Sequence, residues 1–181
     1  VGNDEAAQTL TTLFQDKLID TTYLLTEANR ITTNKTRILS RNQQMMRLDE
    51  ETTSPLSADT EAQLLQSIKN FIETSKPHLL IFEDYNKGVL TELVIQEVIG
   101  ICKANGVLTA VDPKKEHFFS YADVDLFKPN LHEVKEALQI HESHLSAALL
   151  QEVHQQLHQR LQHRISLITL SERGIFYQDT E

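Results

Sequence analysis

Two kinds of hydrophobic pattern alternate from residue 78 to the end of the chain. Short apolar runs without polar alternation are typical of strands buried on both faces. Between them lie longer segments with apolar residues every three or four positions, which is typical of helices. The four apolar runs are HLLIFED, VLTAVDP, DLFKPN and ISLITLS. This order predicts an α/β fold with a doubly wound, mostly parallel sheet and helices on both faces.

Three further features refine this prediction. The segment LTELVIQEVIGICKANG is expected to be a helix with Gly106 as its C-terminal cap. NLHEVKEALQI and HLSAALLQEVHQQLHQRLQ predict two more helices, and GIFYQ is expected to begin a hairpin. No internal repeat or low-complexity linker is visible, and only residues 50–57 resemble a connector.

The first 77 residues have a different pattern. A helix is predicted from about Asp4, with one apolar face formed by Ala6, Leu10, Leu13 and Phe14. No earlier element is present to pack beside it, so we expect the chain to begin inside a larger domain. A second helix is expected after a cap at Ser57 or Asp59 and before Pro77. Its apolar stripe consists of Leu64, Leu65, Ile68, Phe71 and Ile72.

Between these helices the sequence predicts an antiparallel β-ribbon. Residues 32–40 are rich in β-branched side chains, and residues 43–49 return after a plausible turn at Ser40-Arg41-Asn42. We therefore expect one domain over residues 1–181, with a small antiparallel β-ribbon within residues 30–50.

Length and composition suit one globular domain. The chain has 181 residues, of which 40% are hydrophobic and 24% are charged. No apolar run is long enough to span a membrane, and no signal peptide is recognised. The single Cys102 excludes an internal disulfide and is expected to be a small buried residue rather than a nucleophile. A reducing, cytoplasmic location is the simplest expectation.

The charge is unevenly distributed. The net charge of −9 argues against nucleic acid or an anionic membrane as the main partner. From Asn29 to Arg47, however, the chain has five bases and no acid: Arg30, Lys35, Arg37, Arg41 and Arg47. Such a segment suits a small anionic ligand. It equally suits a solvated ribbon whose cations prevent aggregation of its edges.

Polar residues follow each of the four predicted strands. Ligands bind beyond the carboxyl ends of the strands in an open parallel sheet, so these residues are candidates for a binding site. The segments are Asp84-Tyr85-Asn86-Lys87-Gly88, Asp112-Pro113-Lys114-Lys115, Lys128-Pro129-Asn130 with Glu133 one turn later, and Thr169-Leu170-Ser171-Glu172-Arg173-Gly174.

Each segment also has a purely structural interpretation. Asp84 could accept sugar hydroxyls, Lys87 could neutralise a phosphate, and Gly88 could let the backbone approach an anion at a helix N-terminus. The same residues could instead cap a helix and close a loop. Asn130 and Glu133 could contact nucleotide phosphates and hydrated Mg²⁺. Taken alone, they fit a capping box better.

Other site types lack sequence support. His154 and His158 are four residues apart, but the H-E-x-x-H glutamate is missing, so we interpret them as part of a solvated helix face. His141 and His144 receive the same interpretation. The chain has no P-loop, no G-x-G-x-x-G and no G-x-S-x-G motif.

Taken in order, these segments resemble a known family. VGNDEA, TTNKTRILSRNQQMMRLDEE, DYNKGVL, VDPK, the YAD and KPNLHE segments, and LSERG are similar to ribokinase-like (PfkB-type) carbohydrate kinases. Within that family they resemble the D-glycero-β-D-manno-heptose-7-phosphate kinase domains of bifunctional ADP-heptose synthases. The resemblance runs over essentially the whole chain, and its most specific part is the ribbon.

The resemblance implies a kinase that uses ATP and Mg²⁺. Its acceptor would be the anomeric hydroxyl of a heptose 7-phosphate, in the synthesis of ADP-heptose for lipopolysaccharide. The ribbon would be a lid over the sugar and the contact of a homodimer. The implied substrate-binding residues are Lys35, Arg37, Arg41, Asn42, Gln43, Asp84 and Lys87. The implied nucleotide-binding residues are Asn130, Glu133 (also indirectly for Mg²⁺), Ser171, Glu172 and Gly174, with Asp112 and Lys114 at the phosphate end.

Two family motifs are not found in this sequence. The Gly-Gly-Ala-rich segment, which helps to bind sugar, would lie before Val1. The Gly-Ala-Gly-Asp segment, which carries the catalytic base and backbone donors for the transferring group, would lie beyond Glu181. We therefore expect no catalytic residue within the chain and very poor kinase activity from these 181 residues alone. Two alternatives stay open: a kinase of another sugar or sugar phosphate, or a catalytically silent binding or assembly module.

Overall fold

The computed structural model describes residues 1–141 and 145–180. The chain divides into two compact units. Unit 1 contains residues 1–67 and 87–89, and unit 2 contains residues 68–86 and 90–181. The prediction of one domain with residues 30–50 as a lid stays a prediction.

Unit 1 contains the predicted helix and ribbon. Helix α1 (Glu5–Asp16) begins after Asp4, whose carboxylate accepts hydrogen bonds from the backbone N–H groups of Ala7 (2.9 Å) and Thr32 (2.8 Å). Strands β1 (Asn34–Ser40) and β2 (Gln43–Glu50) pair antiparallel. The predicted start of α1 near Asp4 and the predicted antiparallel ribbon are therefore both confirmed.

The ribbon turns at Arg41 and Asn42, as predicted. Their φ angles of 48° and 66° are both left-handed, as two-residue hairpin turns of type I′ require. Every residue of β1 and β2 is exposed. The cationic and polar side chains of the ribbon are therefore open to a ligand or to a partner.

Helix α2 (Ala58–Ser75) ends before Pro77, as predicted. Ser57 is its cap, because the Ser57 hydroxyl accepts the backbone N–H of Thr60 at 3.3 Å. The apolar stripes predicted for both helices are less buried than expected. Among the stripe residues only Ile72 is fully buried, and Leu13 and Phe71 are exposed.

Arg30 was grouped with the basic segment, but it is a buried structural residue of unit 1. Its guanidinium pairs with Glu27 at 3.0 Å and donates to the backbone oxygens of Ser54 (2.6 Å) and Lys87 (2.7 Å). Hydrogen bonds from Ser57, together with Arg30, lower the pKa of Glu27 to about 2. Arg30 therefore ties three loop segments together and is not available to an anionic ligand.

Unit 2 contains a five-stranded sheet in the order β3-β4-β5-β6-β7. The strands are Leu79–Glu83, Leu108–Asp112, Leu126–Phe127, Ile165–Thr169 and Ile175–Asp179. The first four are parallel, and β7 forms the predicted antiparallel hairpin with β6. The helices α3, α4 and α5 are Glu92–Ala104, Leu131–Leu138 and Ala147–Leu161. The predicted α/β fold with a mostly parallel sheet is confirmed.

Strand β3 is less buried than its apolar sequence suggested. Phe82 is buried, but Leu79 and Ile81 are 47% and 58% exposed, and Leu108 of β4 is also exposed. Alternate residues of a strand point to opposite faces, so one face of this end of the sheet is uncovered within the described residues. The prediction of a buried strand is wrong for Leu79 and Ile81.

The end of α3 matches its prediction. Gly106 has a φ of 68°, and the N–H of Val107 donates to the carbonyl of Cys102 at 2.9 Å. This is a Schellman motif closed by glycine. Cys102 is fully buried, and burial raises the pKa of its thiol to about 11. The interpretation of Cys102 as an inert core residue is confirmed.

The histidines of α5 are not a solvated face. His154 is buried and its Nδ1 lies 2.9 Å from the Ser166 hydroxyl, which also lies 2.6 Å from Nε2 of His163. His158, half-buried, contacts the carbonyl of His163 at 2.8 Å. The solvated interpretation is wrong for His154, because α5 packs this side against β6. His141 is exposed as expected, and His144 lies outside the described residues.

No helix in the described ranges is long and apolar enough to cross a membrane.

Candidate functional site

The polar segments that follow β3, β4, β5 and β6 begin together at the carboxyl edge of the sheet in unit 2. The parallel register pairs Glu83 with Asp112 and Val111 with Phe127, and a bridge pairs Asn130 with Thr169. The residues that follow the strand ends therefore begin at the same level. This is the edge at which ligands bind in open parallel sheets.

A network of lysines and carboxylates occupies the middle of this edge. Nζ of Lys114 donates to Glu133 at 2.6 Å and lies 3.7 Å from Asp112. Nζ of Lys128 donates to the other oxygen of Asp112 at 2.9 Å. Burial lowers the pKa of Lys114, but its hydrogen bond to Glu133 and the charges of Glu133, Asp112 and Asp84 outweigh that effect and raise it. Lys114 is therefore a permanent cation here.

Asn130 and Glu133 form the capping box of α4. The Asn130 side chain accepts the N–H of Glu133 at 2.9 Å, and the Glu133 carboxylate accepts the N–H of Asn130 at 2.8 Å. The interpretation of Asn130 and Glu133 as a capping box is therefore confirmed. It leaves Glu133 beside Lys114 at a helix N-terminus, where the helix dipole favours anions.

The carboxylates of this network can be compared with the needs of Mg²⁺. No group of three or more His, Cys, Asp or Glu side chains suited to a metal occurs within residues 1–141 and 145–180. Mg²⁺ commonly keeps several waters and takes only one or two carboxylates plus substrate phosphates. Asp112 and Glu133 fit that second arrangement, and each would have to share its oxygens with a lysine.

A cleft of about 490 Å³ lies between the start of α4 and the loop after β6. It is lined by three predicted nucleotide-side residues, Asn130, Ser171 and Glu172, and by the cations Lys135 and Arg173. Ser171 and Gly174 have φ angles of 54° and 89°, which fold this loop into a tight turn. The sequence patterns around residues 130 and 171 therefore meet in one concave surface.

Asp84 lies at the end of β3 and is only 3% exposed. Its carboxylate accepts the Tyr121 hydroxyl at 2.9 Å and the Asn86 backbone N–H at 2.8 Å. The Asn86 side-chain oxygen is buried and has no hydrogen-bond partner within the described part of the chain. Asp84 is thus held in a fixed position, beside an acceptor that lacks a donor.

Lys87 and Gly88 belong to unit 1 and have other partners. Nζ of Lys87 pairs with Glu51 at 2.5 Å. Gly88 does not lie at a helix N-terminus, because α3 begins at Glu92 after its cap Thr91. Its close approach is to the Ser54 carbonyl, and its own carbonyl accepts the N–H of Leu56 at 3.0 Å. The prediction that Gly88 lies at a helix N-terminus is therefore wrong, and its contacts with Ser54 and Leu56 fit the loop-closing interpretation.

The cations of the ribbon fall into two groups. Lys35 pairs with Asp49 (3.0 Å) and Glu51 (3.1 Å), and Arg47 pairs with Asp49 (2.7 Å). Arg37 and Arg41 have no ion pair with any described residue. The turn residues Asn42 and Gln43 are exposed beside Arg41. Among the cations of strands β1 and β2 and their turn, Arg37 and Arg41 are therefore the two whose charge no described acidic residue neutralises.

Sequence reasoning missed three residues of this region. Lys128 holds Asp112, Tyr121 holds Asp84, and Arg173 lines the cleft. Lys128 and Arg173 lie inside motifs that were recognised, so their charge could have been included. Tyr121 lies in the YAD segment quoted for the resemblance, but that segment did not indicate its partner Asp84, which is 37 residues away.

An open parallel sheet with polar strand ends, a capped helix at Asn130 and a separate antiparallel ribbon define a ribokinase-like α/β protein. Solved structures support this class. A ribokinase from Giardia lamblia is 14% identical, with a TM-score of 0.72 over 100% of this chain and 54% of that one. Phosphofructokinase-2 from Escherichia coli in complex with fructose-6-phosphate is 14% identical, with a TM-score of 0.68 over 100% of this chain and 58% of that one.

The chain belongs to the pfkB family of carbohydrate kinases, whose model matches residues 1–181. Its relatives include the bifunctional protein HldE of Helicobacter pylori (strain G27), 36% identical over 98% of this chain. HldE of Methylobacillus flagellatus is 36% identical over 100% of the chain. The chain spans 37% and 36% of the length of these two relatives. The resemblance inferred from the motifs is confirmed.

Proposed function

We propose that the protein is part of a kinase that transfers the γ-phosphoryl group of ATP to the anomeric hydroxyl of D-glycero-D-manno-heptose 7-phosphate. This reaction would serve ADP-heptose and lipopolysaccharide core synthesis. The observation that carries the choice of a phosphorylated acceptor is the pair Arg37 and Arg41, which are exposed on the ribbon and form no ion pair with residues 1–141 or 145–180. The 36% identity to bifunctional HldE proteins supports the choice of heptose.

Residues of unit 2 would bind the nucleotide. Asn130, Ser171, Glu172 and Gly174 belong to the cleft and its turn, whose cations suit phosphates. Lys114 and Lys128, already held by carboxylates, would stabilise the charge that develops on the transferring group. Mg²⁺, when bound near Asp112 and Glu133, would neutralise phosphate charge.

Residues of unit 1 would bind the sugar phosphate. Arg37 and Arg41, with the amides of Asn42 and Gln43, would contact its phosphate group. Lys35 and Lys87 both form ion pairs with Glu51. They would bind the sugar phosphate only by exchanging this carboxylate for the phosphate group. Asp84 belongs to unit 2 and would accept hydrogen bonds from sugar hydroxyls.

The ribbon would also be the contact of a homodimer. Ile38 pairs with Met46 across the strands, and both are exposed, as is Leu48. A two-stranded ribbon is marginally stable alone, so an apolar face of this kind is better explained by contact with a second copy of the chain than by exposure to solvent.

The cytoplasmic location stays a prediction.

The proposal is tested by ATP consumption with the product of the full reading frame that contains these residues. Heptose 7-phosphate is compared with fructose 6-phosphate, ribose and adenosine as acceptors. We expect kcat/KM for heptose 7-phosphate to be at least tenfold higher than kcat/KM for each of the other acceptors. Preference for a non-phosphorylated acceptor would disprove the substrate. Binding of ATP and sugar phosphate without turnover would instead favour a silent binding module.

Arg37→Ala and Arg41→Ala are each expected to raise the KM for heptose 7-phosphate about tenfold, because a charge-assisted hydrogen bond contributes about 1.5 kcal/mol or more. The KM for ATP should not change. Steady-state kinetics with each substrate varied in turn measures both values. Arg47→Ala is the matched control, because Arg47 already pairs with Asp49. Equal losses for both substrates would mean that the arginines stabilise the fold instead.

A further inference from the structure

The position of the Asp84 carboxylate depends on Tyr121, which has no role in the proposed mechanism. Both carboxylate oxygens already accept a hydrogen bond, one from Asn86 N–H (2.8 Å) and one from the Tyr121 hydroxyl (2.9 Å). Its backbone N–H donates to the Asp112 carbonyl at 3.4 Å, which extends the pairing of β3 with β4. Each carboxylate oxygen has two lone pairs, so both can accept one further donor.

The surroundings of Tyr121 keep its hydroxyl protonated and directed at Asp84, to which it donates a hydrogen bond. The side chain is fully buried, and its ring packs edge-on against Phe82 of β3 with centroids 5.6 Å apart. Burial, and then the charge of Asp84, raise the pKa of the Tyr121 phenol, so it keeps its proton. The Tyr121 hydroxyl is therefore held in one orientation and stays protonated at neutral pH.

The same loop holds a second acceptor. Asn86 has a left-handed φ of 52°, and its buried side-chain oxygen accepts no hydrogen bond from any described residue. A buried acceptor without a donor is costly. Asp84 and Asn86 thus form a pair of acceptors two residues apart, and a polyol can supply hydroxyl donors to both.

We propose that Tyr121 is a positioning residue for sugar recognition. It orients the Asp84 carboxylate so that Asp84 and the side-chain oxygen of Asn86 together accept hydroxyl groups of the sugar. This inference rests on the proposed function, and it adds Tyr121 and Asn86 to the groups that select the acceptor substrate.

The test measures binding of D-glycero-β-D-manno-heptose 7-phosphate by calorimetry in the absence of ATP, together with the two KM values of the full-length enzyme. Tyr121→Phe should weaken sugar-phosphate binding about tenfold and raise its KM equally, while the KM for ATP and the affinity for inorganic phosphate stay constant. Tyr177→Phe is the matched control, since Tyr177 donates to Asp179 at 3.2 Å on an exposed strand.

A second variant covers the case in which Tyr121→Phe does not fold. Asn86→Gly removes the acceptor and keeps the positive φ without strain, and it should weaken sugar-phosphate binding severalfold with no change for ATP. Unchanged sugar binding in the folded variants overturns the inference and leaves the proposed function intact. If the wild-type enzyme neither binds nor phosphorylates a sugar phosphate, the proposed function fails, and this inference fails with it.

Discussion

Replacing Gly88 with alanine is expected to lower the free energy of unfolding by about 3 kcal/mol or more, because two separate costs combine. Gly88 has a φ of +70°, which L side chains rarely adopt. A Cβ at this position would lie 2.0 Å from the carbonyl oxygen of Ser54 and 2.5 Å from its carbon. Arg30 donates to the same Ser54 oxygen at 2.6 Å, so the backbone there is not free to move aside.

Two matched glycine variants separate these costs in urea denaturation. Gly100→Ala in α3 meets no atom within 4 Å and should stabilise by about 0.5–1 kcal/mol, since alanine is the better helix former. Gly106→Ala has a positive φ of 68° but no close atom, so it carries the conformational cost alone. A loss for Gly88→Ala no larger than that for Gly106→Ala would contradict the close packing on Ser54.

Acidification from pH 7 to pH 5 is expected to reduce the free energy of unfolding by about 2 kcal/mol through His163. Burial, followed by the charges of His154 and His158, lowers the pKa of His163 from 6.5 to about 4. The folded state then binds this proton less readily than the unfolded state does. The stability due to the neutral imidazole is therefore present above pH 6.5 and is lost as the pH falls from 6.5 towards 4.

The surroundings of His163 explain why it stays neutral. It contacts His154 and His158 from α5, Ser166 from β6 and Phe127 from β5. None of these groups is acidic, and His154 also has a lowered pKa because of its burial. A proton on one imidazole therefore meets only polar or potentially cationic neighbours.

Urea denaturation at several pH values between 7 and 5 measures this effect, because the carboxylates with lowered pKa, such as Glu27, contribute mainly below pH 4.5. His163→Gln should remove most of the slope, and a smaller part due to His154 should remain. The exposed His141→Gln is the control and should keep the wild-type slope. An unchanged slope in His163→Gln would show that the pH dependence arises elsewhere.

Local patterns predicted most elements of the fold. The cap at Asp4, the ribbon with its turn at Arg41 and Asn42, the Schellman motif at Gly106 and the final hairpin all follow from residues within a few positions of each other. Such features depend on backbone conformation and short-range hydrogen bonds, which a sequence segment determines largely by itself. The same holds for the capping box of Asn130 and Glu133.

The partners of charged and polar side chains could not be predicted in this way. Arg30 is buried against Ser54 and Lys87, and Lys87 pairs with a glutamate 36 residues away. His154 is buried because α5 packs on β6. These outcomes depend on which segments meet in space, and long side chains pair with whatever opposite charge lies within reach.

The sequence by itself determined that the chain alternates strands and helices, places polar residues after four parallel strands and carries a basic ribbon. It also determined the family, since the motifs occur in a recognisable order. Only the tertiary structure decided which cations stay uncompensated, that Tyr121 donates to Asp84, and that Gly88 packs on Ser54. The physical reason is that short-range order depends on neighbouring residues, whereas charge pairing and burial depend on contacts between residues far apart in the chain.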